Sequence, residues 1–158
     1  MKNTINKYRK ITRDKEADIF LGKRYERIVY KYIKDLHPED EVYFYRNKFN
    51  EFDFKVKNNG VVIHEYELKS RREIVFGSYN SLMFGKNKLN YADRKRKLFP
   101  ERKHTFLWYL IEPKKLYYWD YEGGQQEEYY EALGWNGDEE KKPCVYVYNR
   151  NINEIVYE

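Results

Sequence analysis

Apolar residues recur at helical spacing between Asp14 and Leu36, and the run stops at His37-Pro38, where proline cannot continue a helix. With Glu26 at zero and about 100° per residue, Ile19, Val29, Ile33 and Leu36 fall on one arc. Leu21, Tyr25 and Tyr32 extend it, while Lys23, Arg24, Arg27, Lys31 and Lys34 take the opposite side. Glu26 lies inside the apolar arc, so burying that face buries a carboxylate that then needs a partner.

Alternation with period two takes over after the proline. Glu41–Phe49 predicts a first strand and Glu51–Lys57 a second. Asn58-Asn59-Gly60 predicts a hairpin turn that requires positive φ, and Val61–Ser70 a third strand. Helical spacing returns over 80–98, with Leu82, Leu89 and Ala92 on one side. Residues 104–121 read as two strands around Glu112-Pro113-Lys114-Lys115. A short helix after Gly123-Gly124, ending near Leu133-Gly134, and a strand over Cys144–Tyr148 complete the order. This order predicts a single α/β domain built on one mixed sheet flanked by helices. Residues 1–13 are expected to form a basic arm, 14–111 the core, and 112–158 an aromatic, acidic C-terminal extension.

The 158 residues suit one hydrophobic core, and 41% apolar with 36% charged residues argues against disorder. No apolar run reaches the roughly 18 residues needed to span a bilayer. The first residues lack the apolar stretch of a signal peptide. A single cysteine, Cys144, excludes an internal disulfide and a cysteine-rich zinc site. An intracellular, soluble protein with no membrane partner is expected. Charge is unevenly spread: residues 1–119 hold 28 Lys/Arg against 16 Asp/Glu, and residues 120–158 hold 3 against 10. A basic body of this kind suits a polyanion such as nucleic acid, although solubility alone is an equally simple reason for surface charge.

Charged residues also stand where the third strand should be buried. Residues two apart share a strand face, so Glu65, Glu67 and Lys69 point one way and His64, Tyr66 and Leu68 the other. Pairing through the hairpin brings Asp53 beside Glu67. Two adjacent carboxylates repel unless a cation or a proton is shared between them. Oxygen ligands favour Mg²⁺ or Mn²⁺, and a neighbouring lysine suits metal-assisted phosphodiester hydrolysis. The plainer alternative is a cross-strand ladder of Lys–Glu pairs. The three histidines have no zinc spacing, and Gly123-Gly124 runs into Gln-Gln-Glu-Glu, which would repel phosphate.

Helix Glu26, Glu51-Phe52-Asp53, hairpin, Glu67-Leu68-Lys69-Ser70-Arg71 and a basic helix, in that order, resemble the PD-(D/E)XK nuclease superfamily. The pattern is most similar to that of the Holliday-junction-resolvase type. The resemblance spans about residues 15–111; no proline precedes Asp53, Glu65 is an extra acid, and the C-terminal third matches no part of the pattern. It implies a restriction-endonuclease-like core and a metal-dependent nuclease, acting on DNA ahead of RNA and including structure-specific cleavage. Asp53 and Glu67 would ligate Mg²⁺ or Mn²⁺ with the Leu68 carbonyl, Glu26 would bind directly or through water, and Lys69 would position the nucleophilic water. Glu51 and Glu65 would support these ligands from behind. Lys86 or Lys88 would face the site, and Arg71, Arg72, Arg94, Lys95, Arg96 and Lys97 would meet phosphates. A homodimer is a possible assembly. The alternative function is a non-catalytic nucleic-acid-binding module with a nuclease fold, or a subunit of a larger nucleic-acid-processing complex.

Overall fold

The computed structural model describes residues 15–44, 51–71, 81–110, 114–124, 129–133 and 141–155; for residues 15–22, 71, 81, 129–133 and 141–143 it describes the backbone alone. The expected arm at 1–13 lies outside these residues, as do the side chains of Ile19 and Leu21.

Helix α1 (Lys15–Leu36) is followed by β1 (Glu41–Phe44), β2 (Phe54–Asn58) and β3 (Val61–Arg71). Then come β4 (Ser81–Gly85), α2 (Lys86–Leu98), β5 (Lys103–Leu110) and β6 (Lys115–Tyr121). Strands β7 (Tyr129–Leu133) and β8 (Lys141–Tyr148), a 3₁₀ turn (Asn149–Asn151) and β9 (Asn153–Ile155) complete the described chain. Six strands form a sheet in the order β1-β2-β3-β5-β6-β9, and three form a second in the order β4-β8-β7. Among the described residues only β3 and β5 pair in parallel; the other pairings are antiparallel. The described residues form an α/β domain with a mixed six-stranded sheet and two helices.

The local chemistry explains these elements. Asn59 and Gly60 take φ of 49° and 77°, as the hairpin between β2 and β3 requires. The amide of His37 donates to the carbonyl of Ile33 at 3.0 Å, closing α1 ahead of Pro38. A parallel pair needs a crossover, and residues 72–102, carrying β4 and α2, supply it. Both strands of that pair are central, and residues 65–68 and 104–110 are buried without alternation.

The sheet separates two cores. On one face Val29 and Ile33 of α1 pack with Phe54, Val56, Tyr66, Leu68, Leu107 and Tyr109. On the other, Leu89 and Ala92 of α2 join Leu82, Phe84, Val145 and Val147 against Phe106, Trp108 and Leu110. Phe84 stacks on Phe106 with centroids 3.8 Å apart, and the Trp108 indole N–H donates to the Met83 carbonyl at 3.1 Å. Among the described residues no helix is long and apolar enough to cross a membrane.

Four expectations are corrected. β2 begins at Phe54, so Asp53 precedes the strand, as does Glu51. Residues 81–85 are a strand that adds to the second sheet, because Leu82 and Phe84 alternate into the core, and the helix starts only at Lys86. Residues 129–133 form a strand paired with β8, where tertiary pairing overrides the helical spacing of a short segment. Leu36, on the expected apolar arc, is the last residue of the helix and is 50% exposed. The aromatic C-terminal segment is woven into the domain: β6 and β9 extend the main sheet, and β8 pairs with β4.

A hydrogen-bonded chain fastens the end of α1 to its face of the sheet. His37 Nε2 meets the Tyr66 hydroxyl at 2.8 Å, and that hydroxyl lies 3.2 Å from His64 Nδ1. His64 Nε2 meets Thr105 Oγ1 at 2.7 Å, and the threonine hydroxyl donates to Asp120 at 2.6 Å. Burial pushes the His64 imidazole down to about 3, helped by the charges of His37, Lys103 and His104. The ring is therefore neutral: it donates to Thr105 and accepts from Tyr66.

Candidate active site

The face of β3 turned toward α2 carries Glu65, Glu67 and Lys69, in register with His104, Phe106 and Trp108 of β5. The two glutamates are both buried, and their surroundings differ.

Glu65 sits in a complete set of partners. Oε1 accepts from the Tyr91 hydroxyl at 2.7 Å and lies 3.7 Å from Lys55 Nζ. Oε2 accepts from His104 Nε2 at 2.9 Å and from Arg102 at 3.3 Å. Burial raises its pKa, but the hydrogen bonds from His104 and Tyr91 and the charges of His104 and Lys55 outweigh it, so the net shift is downward. Its stabilising contribution is present above the ordinary carboxylate range and is lost as pH falls through its lowered value. Glu65→Gln places an amide N–H₂ among donors and is expected to cost about 3 kcal/mol in denaturant melts of the metal-free protein. A Mn²⁺-induced rise in melting temperature should survive the change. A Glu65→Gln protein of full stability would show that the cluster is not a structural anchor.

Glu67 is the opposite case. Burial, then the charge of Asp53, pushes its carboxyl up to about 8, against the opposing pull of Lys69 and Lys88. Lys69 Nζ lies 3.4 Å from Oε1, and Lys88 Nζ lies 3.2 Å from Oε2. The second distance falls within hydrogen-bond range, yet Oε2 is buried without a hydrogen-bond partner. The approach of the ammonium misses the hydrogen-bonding geometry of the oxygen.

Asp53 reaches the same place from the end of β2. The pairing Phe54↔Tyr66, continued by one residue, sets Asp53 opposite Glu67. Its Oδ2 accepts the backbone N–H of Leu68 at 2.9 Å, which fixes the carboxylate at the strand end. Glu51, half-buried, pairs with Lys55 at 3.4 Å, and its carbonyl accepts from Lys88 Nζ.

The remaining predicted residues are distributed as follows. Glu26 is half-buried on α1, which packs on the Tyr66–Leu68 face. Of the two lysines expected to face the site, Lys88 is buried against Glu67 and Lys86 is half-buried. Arg94 and Lys97 are exposed. Lys95 Nζ lies over the rings of Tyr91 and Phe99, 5.5 Å and 5.9 Å from their centroids. The Arg96 guanidinium donates to the carbonyls of Tyr121 and Glu122, and fastens α2 to the end of β6. Arg72 and the side chain of Arg71 lie outside the described residues. Sequence reading missed the anchoring of Glu65 by Arg102, His104 and Tyr91. Their spacing from Glu65 carries no local signal, since β5 meets β3 only through the crossover.

Among the described residues no three His, Cys, Asp or Glu side chains group as a metal cage. Mg²⁺ commonly uses one or two carboxylates and completes its shell with water and substrate oxygens. Asp53 and Glu67 are a pair of that size. The buried Oε2 without a hydrogen-bond partner, beside a second carboxylate, is an oxygen that a hard divalent cation would satisfy. The residues present fit such an ion.

No family model and no curated protein matches the chain. Among solved structures it is similar to a Holliday junction resolvase from Archaeoglobus fulgidus, an archaeal hyperthermophile, with a TM-score of 0.43 and 12% identity. The match covers 70% of this chain and 78% of that one. The roles assigned to Asp53, Glu67, Lys69 and Lys88 rest on the side-chain geometry of this chain.

Proposed function

We propose that the chain is a divalent-metal-dependent nuclease that hydrolyses phosphodiester bonds, with DNA the expected substrate ahead of RNA. The observation that carries this reading is Glu67: a carboxylate buried beside Asp53, flanked by two lysines, with one oxygen lacking a hydrogen bond. A cross-strand ladder on a solvated face would leave neither the burial nor the carboxylate pair.

Asp53 and Glu67, with the carbonyl of Leu68, would hold Mg²⁺ or Mn²⁺, and Glu26 would reach the ion only through water. A bound ion of this kind supplies Lewis acidity and an activated water. Asp53 is held for its part by the Leu68 amide, so little reorganisation is needed. Lys69, 30% exposed on its side chain, is the cation of the pair that solvent and substrate can reach. Its ammonium would orient the attacking water and balance the charge that develops on the phosphate. Exposed Arg94 and Lys97, with Lys86 at the start of α2, would bind the phosphate backbone away from the reacting bond.

The direct test is cleavage of duplex, single-stranded and four-way-junction DNA, and of RNA, in Mg²⁺, in Mn²⁺ and in EDTA. Cleavage in either metal that EDTA abolishes is the expected result. Binding without cleavage across all substrates and metals would establish the binding-module alternative instead.

A further inference from the structure

Lys88 stands where helix and burial energetics both disfavour an ammonium. It is the third residue of α2, in the first turn, where unpaired N–H groups make the positive pole of the helix. That turn contains no acid to offset it. Its side chain is only 9% exposed, and a buried ammonium needs a counter-charge. Acceptors on two neighbouring segments help hold it there. The carbonyl of Glu51 accepts a hydrogen bond, and Glu67 Oε2 lies 3.2 Å away.

Glu67 Oε2 is also the oxygen left without a hydrogen bond, the one suited to a metal ion. An ammonium 3.2 Å from that oxygen repels a divalent cation approaching it. We propose that Lys88 is a tethered competitor of the metal, covering Glu67 in the metal-free protein and expelled from it when Mg²⁺ or Mn²⁺ binds. The inference rests on the metal-dependent reading above. Glu51's carbonyl, a neutral acceptor unaffected by metal loading, keeps the lysine aimed at the site. The lysine thereby covers Glu67 before loading, at the expense of metal affinity.

The test is a calorimetric titration of Mn²⁺ into the wild type, Lys88→Met and Lys88→Gln, with thermal melts to check folding. Glutamine keeps a donor for the Glu51 carbonyl while removing the charge. Removing a unit charge this close to a divalent ion should tighten Mn²⁺ binding about tenfold or more in both variants. A second readout needs no variant: acylation of Lys88 by an amine-reactive reagent, followed by mass spectrometry, should be slow without metal and several-fold faster with Mn²⁺. This labelling decides the matter alone if the variants fold poorly. Wild-type binding of Mn²⁺ with no gain in either variant, or with Lys88 equally protected, would overturn the competitor role and leave the metal site standing. Mn²⁺ binding to none of the three proteins would overturn both.

Discussion

Lys69→Met is expected to lower the single-turnover cleavage rate by at least about a hundredfold while changing nucleic-acid affinity by no more than about threefold. The ammonium lies 3.4 Å from Glu67 and is the more exposed of the two lysines there. Its contact with the phosphate strengthens as charge develops, so its loss falls on the transition state rather than on the bound substrate. Affinity is spread over many cations, including Arg94 and Lys97, and one fewer contributes little. Single-turnover kinetics and salt-titrated binding on one oligonucleotide separate the two quantities. A Lys69→Met protein that cleaves at the wild-type rate would make the β3 charges structural and remove the nuclease assignment.

Glu67→Gln should have effects of opposite sign with and without metal. The folded carboxyl titrates near 8 against a usual value of 4.5, so the folded state holds a proton that the unfolded state has released between those values. Stability therefore falls as pH rises through that window, and it is fully retained below it. Glutamine abolishes this loss. In EDTA the variant should match the wild type at about pH 5 and exceed it at about pH 9 by on the order of 3 kcal/mol. With Mn²⁺ the ranking should turn, because the wild type gains binding free energy that the variant has forfeited. Denaturant melts at the two pH values, each with EDTA or Mn²⁺, measure all four corners. Parallel pH profiles with an undiminished Mn²⁺ shift in the variant would take Glu67 out of the site.

Much of this arrangement is local and therefore visible along the chain. Glu65, Glu67 and Lys69 share a face because a strand has period two, and Asn59-Gly60 fixes the hairpin that carries Asp53 to Glu67. The apolar spacing of Val29 and Ile33 specifies the face of α1 that meets the sheet, and both are fully buried. Short segments are a different matter. Residues 81–85 and 129–133 pair as strands with β8, and no five-residue spacing encodes which other strand will be its partner.

The sequence by itself determined which charged side chains share a face of β3, since that follows from strand geometry alone. Only the tertiary structure decided what each charge does, since that depends on groups brought by the crossover. α2, β5 and the turn between them deliver Tyr91, His104 and Arg102 to Glu65, so its carboxylate is satisfied and its pKa is lowered. One strand pair along, Glu67 meets Asp53, Lys69 and Lys88 in a buried space, and its proton is retained up to about 8. Two glutamates in the same alternation thus differ by their neighbours, and burial without matching donors sets Glu67 apart as the proposed site.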